Sequence, residues 1–231
     1  MAATVSSVAI PASTVAMIRD VDGGVEVCML RRPGRSSFAA GAFVFPGGAV
    51  DAADGTGEAA FAVAGVREVL EEVGILIGGP AGDSGDKDLA ARISRARSAL
   101  LAGGNFSKAL AENDLAIAPG ALVYIGHFIT PPSEGRRYDT RFFALAASGD
   151  QEVRVHAAEA VEGGWHRPES MLGLEYTAIM PPTRMMCHEF ARLGSVDAIL
   201  TTLGAQPIEV TRITPEVIAG WMALQHEPGD A

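Results

Sequence analysis

The sequence predicts a mixed α/β fold of the α+β type. Three observations carry that reading. Short apolar runs rich in Val, Ile and Met, bounded by Gly, Pro and Asp, mark strands. Longer stretches with apolar residues at helical spacing mark helices. The two kinds are interspersed irregularly and do not form a regular βαβ array. The chain has 231 residues, 48% hydrophobic and 20% charged, so it carries enough apolar surface for a sizeable core.

Ala12–Arg19 and Val25–Arg31 flank the turn-forming run Asp20–Gly24 and predict a hairpin. Ala42–Phe45 predicts a third short strand, ended by Pro46-Gly47-Gly48, where glycines suit a tight turn and close approach of the backbone to a ligand. Asp51–Gly57 reads as a polar loop. From Glu58 to Val73, residues Phe61, Ala62, Val66, Val69, Leu70 and Val73 recur at helical spacing, and Gly74 suits the position that ends a helix. Gly78–Asp86 reads as a Gly-rich linker, and Asp88–Ala102 and Phe106–Glu112 as helices. Ala121–Ile129 and Thr140–Ala147 read as strands around the loop 130–139. Glu152–Val155 and Gly163–His166 read as short strands. Pro168–Leu174, Pro182–Leu193 and Val196–Leu203 read as helices, and 208–212 as a late edge strand. The expected organisation is one domain over 1–231, with a helical insertion at about 79–118 and a C-terminal helical extension at about 181–231.

The net charge of −10 argues against a nucleic-acid polymer as partner, because phosphate-backbone binding needs a basic surface. A phosphorylated small molecule would have to be neutralised locally, by a metal or a few arginines. Cys28 and Cys187 lie far apart and read as buried reduced thiols. No apolar run reaches the length of a membrane span, about 18 residues or more. Met1–Ser7 lacks the basic start of a signal peptide. The expectation is a cytoplasmic protein.

Residues 67–75 read Arg-Glu-Val-Leu-Glu-Glu-Val-Gly-Ile. Glu68, Glu71 and Glu72 stand at i, i+3 and i+4, on one face of the predicted helix. Three like charges repel, so a folded helix gains little from them unless a cation sits among them. Mg²⁺ takes oxygen ligands and is held by a few carboxylates plus substrate phosphate. An ordinary solvated acidic face is the competing reading. The combination of Pro-Gly-Gly before and Arg-Glu-x-x-Glu-Glu-x-Gly after favours the metal.

These residues resemble the box of the Nudix hydrolases: Gly, five residues, Glu, seven residues, then Arg-Glu-U-x-Glu-Glu-x-Gly-U, with U aliphatic. Arg67–Ile75 matches the second half at every defined position, and Pro46-Gly47-Gly48 resembles its start. Counted from Gly48, the early acid falls on Asp54, and twelve residues rather than seven separate it from Arg67. That interval resembles an extended box of one branch, whose mammalian member is a peroxisomal coenzyme A diphosphatase. Leu30-Arg31-Arg32, Gly41–Gly48, Thr130-Pro131-Pro132, Arg136–Phe143, Trp165 followed by Pro168, and Pro181–Arg184 resemble that branch too. Arg35–Phe45 does not clearly match the extra signature of one group of coenzyme A hydrolases.

The resemblance implies an α/β/α sandwich with a mixed sheet, and a pyrophosphohydrolase using Mg²⁺ or Mn²⁺. It implies cleavage of the diphosphate in a nucleoside diphosphate linked to another moiety. Coenzyme A or its thioesters, ADP-ribose or NDP-sugars, and dinucleotides are the candidate substrates. Glu68, Glu71, Glu72 and the Gly48 carbonyl are the implied metal ligands. Glu68, Glu71 and Arg67 are the catalytic candidates, with Arg67 fixing a glutamate. Asp54 or Glu58 would support the charge network of the box, and Asp54, Glu159 and Glu162 are candidates for a further acid. A nucleotide-sensing Nudix domain without catalysis is the alternative from another class; retention of all three glutamates speaks against it. An isoprenoid diphosphate isomerase would need an added Cys or Glu, which neither Cys28 nor Cys187 is placed to supply.

Arg136, Arg137, Arg32 and Tyr138 are the substrate-binding candidates: arginines pair bidentately with phosphate, and an aromatic ring stacks on a base. A solvated loop is an equal reading for Arg136 and Arg137, and Arg141 pairs with Asp139 or another acid on the competing view. Arg31 fits a surface ion pair. Phe142 and Phe143 could also stack on a base; strand alternation makes at least one of them core, and core is the favoured reading for both. His127, His156, His166, His188 and His226 show no ligand spacing and read as surface or satisfied core residues. Trp165 and Met180–Met186 read as core, and Trp221 as cover for an apolar patch or as part of a homodimer interface.

Overall fold

The structure, a computed structural model, describes residues 8–36, 39–82, 88–148 and 151–224. His226, Met1–Ser7 and part of the expected linker lie outside them. In chain order the elements are β1 (Ile10–Val21), β2 (Gly24–Arg31), β3 (Phe43–Val44), β4 (Gly47–Ala49), α1 (Ala59–Val73), β5 (Gly78–Pro80), α2 (Leu89–Leu101), α3 (Phe106–Ala111), β6 (Leu115–Ile117), β7 (Val123–Ile129), β8 (Tyr138–Ala146), β9 (Glu162–His166), α4 (Pro168–Leu172), α5 (Pro181–Leu193), α6 (Val196–Gly204), β10 (Val210–Arg212) and α7 (Pro215–Leu224).

The main sheet runs β10-β7-β8-β1-β2-β3, with β4 added on β1 and β9 on β2. It is mixed: β1 pairs β8 in parallel and β10 pairs β7 in parallel, while the other pairs are antiparallel. Alternation along β1 sends its side chains to two separate cores. Val15 and Met17 pack with Val66, Val69, Leu70 and Val73 of α1. Ala16 and Ile18 face Met186, Cys187 and Phe190 of α5 and Ile199 of α6. Phe142 and Phe143 likewise enter opposite cores, as alternation requires. Helices therefore cover both faces, the sandwich the sequence implied.

One feature of the sheet positions the site. β1 and β2 pair only from Ile18↔Val27 to Val21↔Gly24. Beyond that they fork, and the chain Phe43–Ala49 enters the gap. β3 pairs Leu30 and Arg31 of β2, and β4 pairs Ala12–Thr14 of β1. Here the sequence reading needs correction. Gly47 and Gly48 form a strand, not a turn. A Cβ on Gly47 would strike Ser13 and Thr14, and one on Gly48 would strike the Glu68 carboxylate. These glycines let β4 slide between β1 and α1.

Helix α1 matches its expected bounds. Its stop is physical: Gly74 adopts φ 73° and its N–H bonds the Leu70 carbonyl at 3.1 Å. Three further departures stand out. The expected linker after Leu76 contains β5, which pairs β6 in a separate two-stranded sheet. Residues 152–155 form no strand but hang on the end of α1, with Arg154 N–H bonding the Val73 carbonyl at 2.9 Å. Helix α7 follows β10, and its Trp221 meets Phe128 edge-on with centroids 6.0 Å apart, covering an apolar patch.

Candidate active site

The fork in the sheet opens onto a cavity of about 510 Å³. Its polar wall is α1 and β4: Glu68, Glu71, Glu72, Gly47 and Gly48. Arg32 follows β2 on a second side. Arg136, Tyr138 and Thr130 come from the β7–β8 hairpin, and Phe45, Phe128 and Phe142 form an apolar floor. His156 and Glu159 close it from the segment before β9.

The carboxylates are held by different means. The Gly47 N–H donates to Glu72 Oε2 at 2.8 Å, so β4 fixes the most buried of the three. Arg67 donates to Glu68 Oε1 at 2.7 Å and lies 3.6 Å from Glu71 Oε1. Arg67 is itself anchored from below. Its Nε and one terminal nitrogen each donate to Asp54 at 2.9 Å, and it also bonds the Ala49 carbonyl at 2.9 Å. The Asp54 carboxylate is fully buried. Asp51 holds it in a short 3₁₀ turn, its N–H donating to Asp54 Oδ2 at 2.7 Å. Burial opposes the charge on Arg67, yet hydrogen bonding with Asp54 and the Glu68 charge outweigh it, so the guanidinium is more firmly protonated than usual.

Of the two early acids, it is Asp54 that bonds Arg67. Asp54 supports the charge network of the wall. Glu58 does not: it is exposed and pairs Arg141 at 2.9 Å. Asp54 faces Arg67 and does not line the cavity.

Burial pushes the Glu68 carboxyl up to about 7, with Arg67 opposing it. Burial, reinforced by the Glu68 charge, pushes Glu72 up to about 8. Glu71 is raised as well, again by burial first. Glu159 adds negative potential to all three. A wall of carboxyls whose proton affinity is raised by burial and by one another is short of positive charge. The donors are oxygens throughout, the Gly48 carbonyl among the candidates, which suits a hard cation. Among the described residues no three acidic, His or Cys side chains converge into a ready metal cage. The reason is visible: Glu72 turns to Gly47 and Glu68 to Arg67.

The remaining candidates divide. Arg136 and Tyr138 line the cavity, with the guanidinium 5.4 Å above the ring. Arg32 lines it too and lowers the proton affinity of Glu72. Arg137 bonds the Thr130 carbonyl at 3.0 Å and is not on the wall. Glu162 pairs Arg31 at 3.6 Å on the surface, so of the two late acids only Glu159 reaches the cavity. Arg141 pairs Asp139 and Glu58, as the competing reading had it. Both thiols are free and buried, and burial pushes each up to about 12. Trp165 packs in the α1-side core, outside the cavity, with Arg19 4.4 Å above its ring.

Two contributions escaped the sequence reading. His156 lies on the wall, although an isolated histidine carries no spacing signal. Arg97 of α2 clamps the end of α1: it donates to the Glu71 carbonyl at 2.8 and 3.0 Å, to that of Glu72 at 3.1 Å, and to that of Arg154 at 2.6 Å.

Comparison with known proteins agrees with this geometry. The family model described as the NUDIX domain matches residues 10–88, which hold β1 to β5 and all of α1. Over 174 residues, 74% of this chain, the sequence is 26% identical to nudix hydrolase 7 of Caenorhabditis elegans. The matched stretch spans 56% of that relative's length. The crystal structure of a NUDIX hydrolase from Alicyclobacillus acidocaldarius superposes with a TM-score of 0.75 at 29% identity, covering 87% of this chain and 99% of that one. The matched residues are those that build the fork, β4 and the carboxylate helix, so it is the site-bearing part of the chain that is similar to the NUDIX domain.

Proposed function

We propose that this protein is a divalent-metal-dependent pyrophosphohydrolase acting on a nucleoside diphosphate linked to another moiety. One observation carries the reading: three carboxylates short of positive charge share one cavity wall with β4, and facing residues of that cavity include Arg32, Arg136 and Tyr138. Glu68, Glu71, Glu72 and the Gly48 carbonyl would hold Mg²⁺ or Mn²⁺. When bound, the ion neutralises the diphosphate and lowers the pKa of water.

The chain's own residues divide the remaining work. Arg67, locked by Asp54, orients Glu68 and Glu71. Gly47 N–H orients Glu72. Arg32 and Arg136 receive the phosphate charge, and Tyr138 offers a ring to the base. Glu159 is the acid outside the helix placed to accept a proton. Positioning and electrostatics dominate such phosphoryl transfer. Residues 79–118 read as an insertion that finishes the cavity, since Leu100, Leu101 and Gly103 line it.

The long interval between Gly48 and Arg67, with the likeness outside the box, makes coenzyme A and its thioesters the first substrates to assay. ADP-ribose, NDP-sugars and dinucleotides complete the panel. The test is hydrolysis of this panel near pH 8 with Mg²⁺ or Mn²⁺, with Glu71→Gln and Glu72→Gln as controls. Metal-dependent turnover by the wild type that both variants lose is expected. Equal inactivity of all three proteins across the panel would sink the hydrolase reading and favour a nucleotide sensor.

A further inference from the structure

Among the described residues, two that line the cavity carry a buried polar atom without a hydrogen-bond partner: Ser13 Oγ, which lies against Gly65 of α1, and His156 Nδ1. His156 lies in 151–161, which forms no helix or strand. That segment is nevertheless pinned along its length. The Trp165 indole N–H bonds the Gln151 carbonyl at 3.0 Å. Arg154 bonds Val73 and accepts from Arg97. His156 N–H donates to the Glu72 carbonyl at 2.9 Å, and Val161 N–H to the Arg31 carbonyl at 2.9 Å. Glu159 and Ala160 N–H groups both bond the His156 carbonyl, at 2.9 and 3.1 Å. An irregular segment held at so many points places a side chain as firmly as a helix would. The side chain it places lines the cavity beside the carboxylates. Its Nδ1 is shielded from solvent and has no hydrogen-bond partner among the described residues.

A buried ring nitrogen without a partner is destabilising. Folds rarely keep such an atom unless something arrives to satisfy it. No group among the described residues does so. An oxygen-rich ligand entering the cavity would give the ring a partner.

We propose that His156 is a substrate-contacting residue, its imidazole N–H donating to a phosphate oxygen of the nucleoside diphosphate bound in this cavity. The inference rests on the hydrolase reading and adds a contact from outside the carboxylate helix. It also explains the pinning. A donor carried on the backbone of Glu72 keeps its register with the metal-binding oxygens, so phosphate held by one is presented to the other.

The test is the affinity of the full chain for α,β-methylene-ADP, measured by calorimetry in Mg²⁺, for wild type, His156→Ala, His156→Asn and His156→Gln. Asparagine puts an amide N–H near the place of Nδ1, and glutamine near that of Nε2. The expected result is binding weakened roughly tenfold or more in the alanine variant and restored to within about threefold by one of the amides. KM on the substrate found by the panel rises in parallel. On the wild type alone, the ring ¹⁵N signals of His156 shift when the analogue is added; this reading holds even if a variant does not fold. Alanine binding within about twofold of wild type, or ring signals that stay put, overturns the proposal and leaves His156 a structural, water-satisfied residue. Those results leave the hydrolase reading standing as long as the wild type turns over substrate. A wild type that neither binds nor hydrolyses removes both.

Discussion

The two walls of the cavity are built on opposite plans. The carboxylate wall, α1 with β4, lies within the 79 residues of the family match, and its charged groups hold one another: Asp54 holds Arg67, Arg67 holds Glu68, and β4 holds Glu72. The facing wall is assembled from residues scattered from Arg32 to Ile213, on strand ends and loops. Its members are fixed mainly by backbone, as Arg137 and Thr130 fix the β7–β8 hairpin. The first plan suits a chemistry that needs oxygens at set spacings. The second suits recognition, because a loop residue can change without disturbing its neighbours.

The sharpest way to break the contrast is to strike the carboxylates. Glu72→Gln keeps an acceptor for Gly47 and removes only charge. Turnover should fall by about 10³-fold with little loss of stability, read as kcat beside a thermal melt.

Asp54→Ala comes next. It takes the fully buried partner from a guanidinium whose side chain is 12% exposed, and should cost about 3 kcal/mol in urea unfolding. Glu58→Ala removes an exposed acid that lies nearer the box in sequence, and should cost under about 0.5 kcal/mol. Equal costs would mean that the wall is not internally braced.

On the facing wall, Arg136→Ala should raise KM by about tenfold with kcat nearly kept. Arg137→Ala, outside the cavity, should leave KM within about twofold.

The smallest effect concerns pH. Glu68 and Glu72 have folded pKa values raised to about 7 and about 8 from an ordinary 4.5. Between those limits the folded metal-free chain binds more protons than the unfolded one, so its stability falls as pH rises. Tm without divalent ion should drop by a few degrees from about pH 5 to about pH 8. The gain in Tm on adding Mg²⁺ should grow over the same range. A Tm that rises with pH in the metal-free protein would contradict the burial of these carboxyls.

The contrast also explains what could be read from the chain. The bounds of α1 follow from Val66, Val69, Leu70 and Gly74, because periodicity and a left-handed stop are local properties. Gly47-Gly48 misled for the opposite reason: two glycines signal a turn locally, and only the tertiary fork makes them a strand. The choice between Asp54 and Glu58 needed the fold-back of a 3₁₀ turn onto α1. His156 and Arg97 were illegible because each acts on an element far away in sequence.

Arg97 has a practical meaning for anyone who would shorten this protein. Helix α2 lies beyond the matched residues and looks dispensable as a decoration. Its guanidinium, however, is the terminal fitting on the Glu71 carbonyl, shares that of Glu72 with the His156 N–H, and ties both to Arg154. A pruned version lacking 79–118 would leave the last turn of the reactive helix to fray, and would need a replacement cap before it could serve as a minimal scaffold.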